Sequence, residues 1–189
     1  MIRDKSYLRK KFLLLRKAMY LKKKKFNFNP IFQLIKKKFG NKKLSIAGYY
    51  PSNYEVDILK FIEQAEKKKF QIVLPVVGDN NSLTFKSWKY QELLYANIYG
   101  ILEPKRNNKT IIPDIMLVPL VAFDGKLNRV GYGKGYYDRG LSKIKKSNKN
   151  MISLGIAYSS QKCSDIPVDK YDFKLDYVLT EEGIIKSKN

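Results

Sequence analysis

Apolar positions recur along the chain with two distinct periods. Leu8, Phe12, Leu15 and Met19 fall at i, i+4, i+7 and i+11, which predicts an amphipathic helix over residues 4–24. That stripe leaves Lys5, Arg9 and Arg16 close together on the helix's other side. A second helix is expected to open with Asn29 as its cap and Pro30 in its first turn, and to close near Gly40. Residues 55–69 repeat the helical period, with Ile58, Ile62 and Ala65 on one face. Strands are predicted at LSIAGYY (44–50), QIVLPVV (71–77), MISLGIAY (151–158) and DYVLT (176–180). LTFKSW (83–88) alternates as an edge strand does. IMLVPLVAF (115–123) is a near-continuous apolar run of the kind buried on both faces.

Strands that alternate with helices argue for an α/β sheet covered on both sides. No internal repeat or low-complexity linker interrupts the chain, and 189 residues fit a single domain, 1–189. In such sheets ligands bind beyond the carboxyl ends of the strands. That directs attention to residues 50–55, to 124–138 and to the segment from Tyr158 onward.

Composition narrows the chemistry. There is no histidine, so histidine bases, Ser-His-Asp triads and histidine metal sites are excluded. The single cysteine, Cys163, excludes an internal disulfide and a cysteine zinc cluster, and is assigned to packing together with Trp88. The remaining palette of Asp, Glu, Lys, Arg, Tyr, Ser and backbone amides suits phosphoryl transfer, which needs positioning and charge neutralisation. Lys and Arg total 38 against 17 Asp and Glu, a formal charge of +21. The lysine runs at 22–25, 36–38 and 67–69 lie at the ends of helical segments, where cations complement the helix dipole and face water. An anionic small substrate is therefore expected rather than a specific nucleic acid. The basic N-terminus has a pure apolar run of only Phe12 to Leu15, and no run is long enough to span a membrane. A cytoplasmic protein with no membrane partner is the expectation.

Five of the 11 glycines fall between Gly125 and Gly140, around the stretch RVGYGKGYYD (129–138). It is neither a Walker A loop, since Gly135 follows Lys134 where Ser or Thr is needed, nor a dinucleotide fingerprint, since Tyr136 replaces the third glycine. Alternating glycines still let successive amides point into one anion-binding concavity. Arg129 and Lys134 add charge, a helix starting near Tyr136 adds its dipole, and Asp138 in its first turn has the chemistry to hold magnesium. The bland alternative is a tight hairpin with solvated charges.

The stretch VPLVAFDGKLNRVGYGKGYYDRGL (118–141) closely resembles the signature of the 5-formyltetrahydrofolate cyclo-ligase family. KSYLRKKF, YYPSNYEVD (49–57), YGILEP (99–104), GIAYSSQ and IPVDKYDFKLDYVLTE (166–181) resemble further segments of that family, in the right order from about Lys5 to Ile184. The resemblance implies a three-layer α/β/α sandwich with a mostly parallel sheet, related to sugar-phosphate isomerases and CoA transferases. It implies ATP- and magnesium-dependent conversion of 5-formyltetrahydrofolate, with or without a polyglutamate tail, to 5,10-methenyltetrahydrofolate by a monomer. Lys5, Ser6, Tyr7, Leu8 and Arg9 would contact ATP, as would Arg129, Val130, Gly131, Tyr132, Gly133, Lys134, Gly135, Tyr136 and Tyr137. Arg129 and Lys134 would act in catalysis. Tyr50, Glu55, Tyr99 and the stretch Tyr132 to Tyr136 would line the folate site, and Asp138 and Asp172 would bind magnesium.

Two positions depart from that pattern. Tyr171 stands where relatives often carry histidine, and Leu127 where glycine is common, with Gly125 expected to supply the bend instead. Bland roles stay open too: a solvated helix face for Lys5 and Arg9, core for Tyr50, a helix N-terminal acid for Glu55, and a turn cap for Asp172. A nucleic-acid-binding module with tyrosines stacking on bases and a phosphosugar isomerase are the competing functions.

Overall fold

A computed structural model describes residues 4–78 and 82–187. Its main sheet contains β1 (Ser45–Ala47), β2 (Gln71–Val77), β3 (Leu83–Ser87), β6 (Ile115–Pro119), β9 (Ile152–Ile156), β10 (Tyr177–Thr180) and β11 (Gly183–Lys186). The strand order is β11-β10-β9-β6-β1-β2-β3. The five inner strands pair in parallel, and only the edge strands β3 and β11 run antiparallel. Two-stranded ribbons, β4 (Tyr95–Ala96) with β5 (Leu102–Glu103) and β7 (Ala122–Phe123) with β8 (Arg129–Val130), stand beside it.

Residue alternation explains the layers. Ile46, Ile72, Leu74, Ile115 and Leu117 share one core with Ile31 and Ile35 of α2 (Asn29–Phe39) and Phe61, Ile62 and Ala65 of α3 (Leu59–Lys67). Their sheet neighbours Ala47, Val73, Met116 and Val118 face the other way, onto Leu141 and Ile144 of α4 (Tyr136–Ser147). β2 and β6 are thus apolar on both faces, as a parallel sheet between helical layers favours. The architecture is the α/β fold that the resemblance implies.

The first helix, α1 (Lys5–Leu21), is capped by Asp4, whose side chain accepts a hydrogen bond from the Tyr7 amide at 2.7 Å. It packs on the β7–β8 ribbon, where Leu8 and Phe12 meet Val121, Ala122, Val130 and Ile166. Here the periodicity misleads. Leu15 is 38% exposed, and the position that completes the buried stripe is Arg16.

Three boundaries also move. The apolar run 115–123 leaves the main sheet after Pro119, and the Val121 amide bonds to the Val130 carbonyl, which starts the ribbon. The helix expected from Glu55 starts at Leu59, after a local turn in which the Asp57 side chain accepts from the Leu59 amide at 2.8 Å. Glu55 is therefore not a first-turn acid. In the loop before Arg129 Gly125 and Lys126 form the turn, closed by the Leu127 amide on the Asp124 carbonyl at 3.1 Å, and the left-handed residue is Leu127, with φ of +65°. Leu127 tolerates that backbone because its side chain is fully buried and Asp124 ties the loop, accepting from the amides of Lys126 and Asn128 at 2.9 Å each.

Candidate active site

The carboxyl ends of β1 and β6 open onto a cleft of about 1680 Å³, lined from segments far apart in the sequence. Tyr50 and Glu55 arrive on the segment after β1, and Lys5 and Arg9 on the first turns of α1. Tyr99 comes from the β4–β5 ribbon and Asp172 from the loop before β10. Arg129 and the whole stretch Gly131 to Asp138 form a further wall, and Pro75, Val77, Leu83 and Pro119 of the sheet strands line the cleft as well. Ser6 and Tyr7 lie outside this lining, on the exposed side of α1, and Leu8 and Val130 are core residues that fasten α1 to β8.

The glycines are spent on close approach. Gly133 and Gly135 have φ of +101° and +66°, and Gly135 is the left-handed N-cap of α4. A Cβ on Gly133 would lie 3.3 Å from the guanidinium carbon of Arg9, and Nε of Arg9 donates to the Gly131 carbonyl at 2.8 Å. Arg9 therefore lies against the loop, and the positive end of α4 faces the same space, an arrangement suited to phosphate oxygens.

The other cations are already engaged. Arg129 is buried, and its Nη1 donates to Oδ1 of Asp138 at 2.8 Å and to the Phe173 carbonyl at 3.1 Å. Lys134 lies over the ring of Tyr99, its Nζ 3.3 Å from the centroid. The Tyr136 hydroxyl donates to the Tyr99 hydroxyl at 3.1 Å, and that bond, aided by the Lys134 charge, lowers the pKa of Tyr99. Nζ of Lys5 donates to Oδ2 of Asp169 at 2.9 Å and to Oδ2 of Asp172 at 2.5 Å.

Asp138 and Asp172 share the cleft, and among the described residues no group of three or more acidic, His or Cys side chains could hold a metal. Two carboxylates still fit magnesium, which keeps waters and takes its remaining ligands from substrate phosphates. The donors to each carboxylate converge on one oxygen: Arg129 and the Phe173 amide on Oδ1 of Asp138, Lys5 and the Asp169 amide on Oδ2 of Asp172. Asp172 thus caps a turn and faces the cleft at once.

Below the aromatic wall lies a network that periodicity did not disclose. Arg16 is 1% exposed and donates through Nη2 to the Asn53 carbonyl at 2.6 Å and to the Tyr132 hydroxyl, and through Nη1 to the Leu120 carbonyl at 3.2 Å. The Tyr132 hydroxyl in turn donates to Oε1 of Glu55 at 3.0 Å. Burial, reinforced by the charge of Glu55, pushes the Tyr132 pKa up to about 12. Glu103, also absent from the sequence reading, is buried and pins the ribbon by accepting from the Val77 amide at 3.0 Å and from the Asn97 side chain at 2.7 Å.

A covered, mostly parallel sheet with a glycine-turned, cation-lined cleft at its carboxyl edge defines an enzyme that takes an anionic small molecule. Residues 1–181 match the model of the 5-formyltetrahydrofolate cyclo-ligase family. A 5-formyltetrahydrofolate cyclo-ligase of Haemophilus influenzae is 33% identical over 141 residues, 71% of this chain and 74% of that protein. One of Mycoplasma pneumoniae is 31% identical over 182 residues, 95% of this chain and 99% of its own. The solved structure of Aquifex aeolicus 5,10-methenyltetrahydrofolate synthetase superposes with a TM-score of 0.74 at 28% identity, covering 98% of this chain and 93% of that one. The chain belongs to the 5-formyltetrahydrofolate cyclo-ligase family.

Proposed function

We propose that this protein cyclises 5-formyltetrahydrofolate to 5,10-methenyltetrahydrofolate with magnesium-ATP, releasing ADP and phosphate, and that it does so as a cytoplasmic monomer. The supporting observation is that one cleft joins a phosphate-suited glycine loop to a wall of tyrosines. Among the described residues no helix is long and apolar enough to cross a membrane.

Lys5, Arg9, Lys134 and the amides of the glycine loop receive the triphosphate, with Arg129 and the N-terminus of α4 behind them. Asp138 and Asp172 would hold magnesium, which supplies charge neutralisation at the phosphate oxygens. Tyr50, Tyr99, Tyr132 and Tyr136 receive the folate rings and exclude water. An N-formyl group is an amide, a weak electrophile with a poor leaving group. Transfer of the γ-phosphoryl to the formyl oxygen releases ADP and makes the carbon iminium-like. The 10-nitrogen, held on the same molecule, attacks that carbon at high effective concentration and gives up its proton, and phosphate departs with the former formyl oxygen. No histidine base is required.

An oxygen-18 label placed in the formyl group tests this route. The label is expected in released phosphate, in step with ring closure. Product formed with unlabelled phosphate would refute the phosphorylated intermediate.

A further inference from the structure

Arg16 is among the largest fully buried side chains of the protein, and a buried cation is costly unless its surroundings use the charge. Its neighbours are two backbone carbonyls, the Tyr132 hydroxyl and, 3.9 Å from Nη1, Oε1 of Glu55. The guanidinium also lies 5.3 Å from the Tyr132 ring centroid, and among the described residues its Nε has no acceptor. This is poor value as a structural plug, since a Met or Leu at this point of α1 would extend the Leu8–Phe12 stripe without a desolvation cost.

The network ends at the cleft. Tyr132 is 43% exposed, so its ring lies in the cleft wall while its hydroxyl is drawn down to Arg16 and Glu55. Glu55 lines the same cleft with only 5% of its surface exposed. We propose that Arg16 is a positioning residue for this cleft: from its sealed floor it aims the Tyr132 hydroxyl and keeps Glu55 an anionic acceptor for the N–H groups of the substrate's heterocycle. The inference rests on the folate reading of the cleft.

The groups facing Glu55 support the assignment. From the segment after β1 come the Ser52 amide, donating at 3.0 Å, the Ser52 hydroxyl and the phenol of Tyr49. The glycine loop contributes Tyr132, α4 contributes the phenol of Tyr137, and α1 contributes Arg16. Both Tyr49 and Tyr137 are buried phenols with pKa values pushed up, so neither supplies a charge at neutral pH. Burial pushes the Glu55 carboxyl above its usual range, opposed by the Ser52 amide, then Arg16, then the Tyr132 hydroxyl. Arg16 is the only cation in that set. Removing it favours the neutral acid, which donates a proton where the substrate needs an acceptor.

The test uses the full chain and two readouts. In the ligand-free protein, difference infrared spectra follow the carboxyl band that disappears in Glu55→Gln. In Arg16→Met that band should appear at higher pH than in wild type. In turnover, Arg16→Met should lose about tenfold more kcat/KM at the acid end of the range than at its alkaline end. Arg16→Lys should recover part of the acid-end loss, and in a Glu55→Gln background Arg16→Met should add no further pH dependence. Tyr132→Phe, which leaves the buried cation in place, should move the Glu55 band in the same direction and serves if Arg16→Met does not fold. A Glu55 titration unmoved by either substitution, or an Arg16→Met loss equal at every pH, overturns the proposal. A shifted titration in a protein that turns over no folate supports the Arg16–Glu55 linkage and overturns only the substrate.

Discussion

Nζ of Lys5 and Oδ2 of Asp172 are 2.5 Å apart, joining the first turn of α1 to a loop 167 residues later. Burial opposes the charge on Lys5, but the hydrogen bonds to Asp169 and Asp172 outweigh it and raise its pKa. Lys5 and the Asp169 amide share Oδ2 of Asp172, so a magnesium ion on the other oxygen would repel the neighbouring ammonium and should release Lys5 toward phosphate.

Asp172→Asn tests that exchange, because Asp169 still holds Lys5 and the fold should survive. Magnesium-ATP near 100 times its Kd should stabilise the wild type by about 2–3 kcal/mol over the ligand-free protein. The variant should lose most of that increment in a thermal melt. An undiminished magnesium effect would remove Asp172 from the metal site.

Asp138→Asn should behave differently, because Arg129 is buried against it. The side chains are 3% and 25% exposed, so the pair lies between a buried and a surface bridge. A cost of about 2 kcal/mol is expected, below the full penalty for stranding a buried charge. Urea unfolding measures it, and an unchanged midpoint would mean that Arg129 finds another acceptor.

The contrast between these aspartates shows what the sequence carries and what it does not. β2 is legible as QIVLPVV because both its faces are apolar, a lysine run lies just before it and Gly78 follows it. Glycines and cations at 129–138 mark out a turn-rich basic stretch, and most of that stretch lines the cleft. The sequence cannot show that Arg129 is spent on Asp138, or that Lys134 rests on Tyr99, because those partners are set by tertiary folding. Arg16 was hidden for the same reason. A cation on a helical stripe looks solvated until the segments that bury it, around Asn53, Leu120 and Tyr132, are in place. Ribbons of two residues a strand, such as β7 with β8, carry no period to read.

Leu127→Gly pits backbone strain against packing. Relief of the left-handed backbone is worth about 1–2 kcal/mol, whereas loss of a fully buried leucine costs roughly 2–5 kcal/mol. Packing should win, leaving the variant less stable by up to about 4 kcal/mol by the same terms. A variant more stable than wild type would show that the loop is held by Asp124 and the backbone alone.

Glu181 supplies a pH dependence with a definite sign. Burial works to raise its pKa, but the Ser159 amide and hydroxyl, its own backbone and Lys24 outweigh it, and the net shift is downward. A depressed carboxylate stabilises the fold above its unfolded pKa, and that contribution is lost as pH falls through the folded value. Glu181→Gln should therefore cost roughly 1–3 kcal/mol at neutral pH. The gap to wild type should close once both forms are acidified below the carboxylate range. A gap that persists in acid would make the loss one of shape, not charge.

Lys134 has two competing partners, the Tyr99 ring and an incoming phosphate. Its contact with the exposed Tyr99 ring is worth about 0.5–1 kcal/mol, whereas a charged hydrogen bond to phosphate is worth roughly 1.5–3 kcal/mol. Lys134 should therefore leave the ring when a triphosphate enters, uncovering Tyr99 for the folate. Lys134→Met should weaken binding of a non-hydrolysable ATP analogue by about twofold to sixtyfold, the phosphate bond less the ring contact it gives up, and folate binding by much less. Tyr99→Leu should show the reverse, since it removes the stacking surface and leaves the cation. Calorimetric titration of each ligand separates the two effects. Equal losses of both ligands in Lys134→Met would mean that the lysine serves the shape of the cleft rather than the phosphate.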